Sequence, residues 1–115
     1  MRIAPFFILA LLAACGAAEN QQQAATMDAI EQQVRMPKEA LAFRRYSRFY
    51  TAAKSGEVIG TYVASAHNDL PAGQRRWVKD IYQLPAIDDG GCGIVNVTFD
   101  PKTKRVTQVF CNGLG

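Results

Sequence analysis

The first apolar run of the chain, Ile3 to Leu12, is interrupted only by Pro5. About ten apolar residues are too few to cross a bilayer core as a stable helix. Polarity changes abruptly at Ala17, where "AAENQQQAA" (17–25) offers no aromatic or branched residue to bury and reads as a flexible tether. Met27, Ile30 and Val34 then recur at spacings of three and four, with Thr26 placed as an N-cap and Asp28 in the first turn. That pattern predicts a short amphipathic helix ending at Met36, because Pro37 disfavours a helical residue before it.

Beyond Leu41 the period shortens. Ala42, Tyr46, Phe49, Tyr50 and Ala53 fall on one helical face, but the density of aromatic residues and threonine in "YSRFYT" suits a strand. Val58 to Ala64, "VIGTYVA", is the clearer strand and needs an edge partner, so Tyr46 to Ala64 is read as a hairpin turning at Ser55-Gly56. "HNDLPAGQRR" (67–76) is expected to be an exposed loop, and Trp77 to Leu84 a short strand or a single helical turn. After "PAIDDGG" comes a final hairpin, Gly90 to Gly113. A four-residue loop "DPKT" would set Phe99 opposite Lys104, Val97 opposite Val106, Ile94 opposite Val109 and Cys92 opposite Cys111. This register places Val95, Val97, Phe99, Val106 and Phe110 on a core face, and Ile94, Asn96, Thr98, Arg105 and Thr107 on the other. The predicted fold class is α+β: a short N-terminal helix and a mainly antiparallel sheet of four or five strands ending in a disulfide-closed hairpin.

The apolar run follows a basic start, Met1-Arg2, and leads into "LAAC", Leu12 to Cys15. This stretch resembles the lipobox of bacterial lipoproteins. The resemblance covers Met1 to Gly16 and implies that residues 1–14 are a signal peptide and that Cys15 becomes the acylated N-terminal residue. Palmitate and the other acyl chains on Cys15 would anchor far more firmly than one chain. Residues 15–26 are then anchor and tether, and 27–115 a small α+β domain. Gly16 after the anchor is similar to the pattern of lipoproteins held in the outer membrane, facing the periplasm. The chain's formal charge of +3 would fall to +2 on loss of Arg2, too mild a basic excess for a nucleic-acid partner.

With Cys15 assigned to the anchor, Cys92 and Cys111 remain as a pair, and an oxidising envelope makes a structural disulfide the default. A redox pair would lack Cys-x-x-Cys spacing, and zinc would lack ligands beyond the single histidine, His67. No cofactor or metal is expected. His67 beside Asn68 and Asp69 is a candidate for a general base oriented by a carboxylate. Asp88-Asp89 before Gly90-Gly91 lacks the alternating ligands of a calcium loop and reads as a turn. Arg44, Arg45 and Arg48, with Arg75, Arg76 and Lys79, form two basic clusters suited to anionic headgroups or to solubilising charge. Trp77 beside Arg76 is a further binding candidate. The expectation is a non-catalytic binding or scaffolding module for an envelope protein or polymer. The alternatives are a small envelope hydrolase using His67, Asp69 and Asp88 or Asp89, or an inhibitor of a lysozyme-like enzyme presenting the 67–76 loop.

Overall fold

A computed structural model describes residues 4–113, with side chains from Gly16 onward. One helix, α1 (Ala4–Gln33), precedes five strands: β1 (Tyr46–Ala52), β2 (Val58–Ala64), β3 (Arg75–Trp77), β4 (Ile94–Asp100) and β5 (Arg105–Cys111). They form one sheet in the order β3-β1-β2-β4-β5, antiparallel except where β3 runs parallel to β1. Strand alternation divides the buried residues between two faces. Tyr46, Tyr50, Val58, Tyr62, Val95, Val97 and Phe99 pack with Met27 and Ile30 of α1. On the opposite face Phe49, Val63 and Ile94 pack with Leu70, Val78, Leu84 and Ile87 from the segment joining β2 to β4.

The β1–β2 hairpin forms as expected, with Tyr46 paired to Ala64 and Ala52 to Val58. Gly56 takes φ +94, a left-handed conformation that glycine adopts without steric cost, and donates its N–H to Ala53 O at 2.9 Å. The 67–76 segment is less exposed than expected. Leu70 is buried, Gly73 N donates to Tyr46 O and Arg48 N to Gln74 O, and Arg75 to Trp77 add a strand to the sheet. Beyond Trp77 a single 3-10 turn follows at Ile81–Gln83.

The helix departs furthest from expectation. Residues 17–25 lie within α1 rather than forming a flexible tether, and Thr26 is an interior position rather than a cap. Alanine and glutamine are strong helix formers, so a stretch with nothing to bury still continues a helix whose next turns are packed. α1 ends at Gln33 rather than Met36, with a last bond from Val34 N to Ile30 O. The basic start Met1-Arg2 and the Cys15 side chain lie outside the described residues. Among the described residues no helix is long and apolar enough to cross a membrane.

The final hairpin forms in a different register. Asp100 stays in the strand opposite Arg105, so the loop is 101–104. Asp100 Oδ1 accepts the Lys102 N–H at 2.9 Å and Lys104 takes φ +58, which together close the turn one residue later than expected. Phe99 faces Val106, but Val97 faces Val109, because a bulge adds a residue to β5. Val106 and Val109, three apart, thereby both reach the α1 face, which an unbroken strand forbids. The slip turns Phe110, expected in the core, outward to 50% exposure. It also brings Cys111 against the core, while Ile94, expected on the polar face, is buried in the second cluster.

Cys92 and Cys111 are disulfide-bonded, though Cys111 pairs in the ladder with Val95 and Cys92 sits in a 3-10 turn before β4. The bond closes a loop of 19 residues, for which chain entropy gives about 3 kcal/mol. Cys92→Ser with Cys111→Ser is expected to lower unfolding free energy by about that amount, as read by urea titration against the oxidised parent.

Candidate functional site

Polar residues at the α1–sheet interface, some buried and some at its rim, form one connected cluster. Asp28 and Glu31 are three apart and share a face of α1. Below them Arg48 of β1 stands directly opposite Arg75 of β3 in the parallel ladder. Two adjacent cations half-removed from water repel one another unless an anion joins them. Glu31 supplies it: Oε2 accepts from Arg48 Nε at 3.0 Å and Oε1 from Arg75 Nη1 at 3.1 Å. Asp28 Oδ1 takes a second bond from Arg75 Nη1 at 2.9 Å. The Arg48 side chain is only 7% exposed and that of Glu31 16%. The guanidinium of Arg48 also lies 4.2 Å from the centre of the Phe43 ring.

Two tyrosines extend the cluster into the core. Tyr50 Oη donates to Glu31 Oε2 at 2.7 Å, so the 2.7 Å bond between the hydroxyls has Tyr62 as donor. Gly60, opposite Tyr50, makes room for this: a Cβ there would lie 3.0 Å from the Tyr50 ring. Burial raises the Tyr50 pKa well above its ordinary value, and Tyr62 and Glu31 push it further. Burial likewise raises that of Tyr62, with Glu31 adding to the rise and the bond to Tyr50 and the Arg48 charge opposing it. For Arg75, burial alone would lower the pKa, but the bond to Asp28 and the charges of Glu31 and Asp28 raise it.

The sequence candidates therefore separate. Arg48 and Arg75 are brought together by acids that the sequence reading did not single out as site residues, while Arg44 and Arg45 are exposed. Arg76 points to the other face of the sheet, where Nη1 donates to Asn68 O at 3.1 Å. Asn68 and Asp69, both at positive φ, are the central residues of a tight turn in which His67 and Leu70 exchange backbone hydrogen bonds. Asparagine and aspartate tolerate that conformation, which gives their presence a local reason. The His67 ring meets Phe49 edge-on at 5.8 Å, and no carboxylate is hydrogen-bonded to it among the described residues. Asp88 and Asp89 are exposed in the loop before β4, where Asn112 Nδ2 holds the backbone oxygens of Ile87 and Asp89 at 2.7 and 2.9 Å. No group of three His, Cys, Asp or Glu placed to hold a metal occurs among the described residues.

Trp77 lies elsewhere, at the end of the sheet where the β1–β2 and β4–β5 turns meet α1. It lines a groove of about 220 Å³ with Glu19, Gln23, Thr26, Val58 and Pro101. One wall is apolar and the other, from α1, carries amide, hydroxyl and carboxylate groups. Such a surface can hold a partner that presents both kinds of chemistry.

Truncating Glu31 leaves Arg48 buried without its partner. Glu31→Ala is expected to cost about 3–5 kcal/mol in urea unfolding. The raised phenol pKa values set a separate alkaline limit. Both groups stay protonated in the folded chain while the unfolded chain ionises them above about pH 10, so their stabilisation is complete below that pH and declines above it. Two such groups give a decline of about 3 kcal/mol per pH unit above pH 10, and Tyr62→Phe should halve that slope in urea midpoints measured across the range. Comparison with protein-family models, curated proteins and solved structures finds no match for this chain.

Proposed function

We propose that this chain is a lipid-anchored bacterial envelope lipoprotein whose domain binds or scaffolds an envelope protein or polymer and carries out no chemistry of its own. The observation that carries the reading is "LAAC", Leu12 to Cys15, behind a basic start and an apolar run. The disulfide supports it, since a cross-linked pair suits an oxidising compartment. Support for binding over catalysis comes from how the charged side chains are used. Arg48, Arg75 and Glu31, charged groups at the interface of α1 and the sheet, are engaged with one another. His67 and Asp69 belong to a tight turn. The Trp77 groove and the exposed Arg44 and Arg45 remain as surfaces for a partner.

Metabolic labelling with palmitate tests the anchor: the parent chain incorporates label and Cys15→Ser does not. A Cys15→Ser chain that still takes up label overturns the lipoprotein reading. His67→Ala in the producing cell tests the absence of catalysis; full retention of the cellular phenotype is expected, and its loss in a chain that folds normally would favour a hydrolase.

A further inference from the structure

The continuity of α1 fixes which end of the domain would face a membrane. Under the proposed anchoring the acyl chains leave from Cys15, which is itself within α1. Glu19, one turn later, already lines the groove beside Gly56 of the β1–β2 turn and Pro101 of the β4–β5 turn. Four residues of helix rise about 6 Å, so these two turns are held within reach of the lipid headgroups.

That same end carries two of the exposed large hydrophobic side chains of the domain, including the most exposed one, Tyr82. Tyr82 is 87% and Ile81 47% exposed. Both flank a shallow, mainly apolar depression with Ala52, Ala53 and Lys54 at the start of the β1–β2 turn. Lys102, in the neighbouring turn, is exposed as well. A free tyrosine and isoleucine on a short turn contribute little to folding while exposed to water. A phenol with an apolar ring and a polar tip, flanked by lysines whose stems can lie along apolar surface, suits the boundary between headgroups and acyl chains. The charges at this end nearly balance. Lys54, Lys79, Lys102, Lys104 and Arg105 stand against Glu19, Glu57, Asp80 and Asp100, an excess of one cation.

We infer that the end of the sheet bearing Ile81, Tyr82 and Lys54 is a docking surface for the phospholipid bilayer in which Cys15 is anchored, with Tyr82 and Ile81 seated at the interface. The inference rests on the lipoprotein reading. It adds a fixed orientation: the helix acts as a short rigid post, and the 67–70 turn faces away from the membrane. The contact is mainly apolar rather than Coulombic, because the charges come within one of cancelling.

The full chain, produced in a host that processes it, is reconstituted into phosphatidylethanolamine–phosphatidylglycerol vesicles with brominated acyl chains. Tyr82→Trp and Ala66→Trp, the latter at an exposed position beside the 67–70 turn, are compared, each with Trp77→Phe to remove the single native indole. The indole at position 82 is expected to be quenched about twofold or more, and the one at position 66 hardly at all, since only an interfacial side chain reaches the bromines. Raising salt from about 0.15 to about 1 M should leave the quenching unchanged. If Trp77→Phe impairs folding, hydrogen exchange on the unsubstituted chain decides instead. Amides of residues 80–84 should then exchange about threefold more slowly in vesicles than in the unanchored Cys15→Ser chain. Vesicle flotation separates the two failures. A chain that floats without quenching or protection overturns the docking alone, and one that does not float overturns the anchor and the docking together. Quenching that disappears at high salt, or that needs an added envelope protein, also overturns it.

Discussion

The Glu31 carboxylate is the point on which the arrangement of helix and sheet depends. β1 and β3 place Arg48 and Arg75 side by side, largely withdrawn from water, and this is tolerable only when an anion from outside the sheet lies between them. Glu31 reaches that position from α1, with Asp28 one turn earlier completing the bond set to Arg75. The same oxygen that holds Arg48 accepts from Tyr50, which in turn accepts from Tyr62. The network thus runs from the helix surface through β1 to β2. A hydrophobic contact such as that of Met27 and Ile30 tolerates rotation and sliding, whereas these directional bonds do not.

At the far edge of the sheet a neutral amide does related work. Gln33 Nε2 donates to Lys104 O at 2.8 Å and Oε1 accepts from Val106 N at 2.9 Å. The side chain therefore pairs with edge strand β5 as a neighbouring strand would, and covers part of an edge that would otherwise be open. The disulfide, the Tyr46 hydroxyl bonded to Cys92 O, and Asn112 hold the other end of the hairpin to the loop that precedes it. Helix and sheet are consequently joined on both sides of the apolar contact. On the proposed reading, such a joint would carry the position of a membrane anchor into the domain without a flexible link.

The elements that were legible in the sequence are those set by neighbours along the chain. The β1–β2 hairpin follows from alternation and from Ser55-Gly56, and the turn at Ile81–Gln83 is one of the two elements, short strand or single helical turn, that the apolar run from Trp77 to Leu84 allows. The Val95, Val97, Phe99 face was legible for the same reason. What lies beyond them was not. The bulge in β5 was written only as the spacing of Val106 and Val109, a signal that competes with the simpler reading of an unbroken ladder. The extent of α1 is not legible in composition, which reports what a segment can bury, while a helix once packed at Met27 and Ile30 propagates through alanine and glutamine at little cost.

By itself, then, the sequence determined an α+β chain with two hairpins and a core of alternating apolar residues, since each depends on local period, while the Cys92–Cys111 pair followed only from reading Cys15 as the anchor and the compartment as oxidising. Only the tertiary structure decided the use of its charges. Arg44 and Arg45 remain in water while Arg48, three residues further on, is buried against Glu31, because strand alternation and the position of a helix 17 residues away set its environment. The same holds for His67 and Asp69, two residues apart in sequence but folded into a turn rather than hydrogen-bonded as an acid–base pair. Charge is a property of the residue, but its partner is a property of the fold.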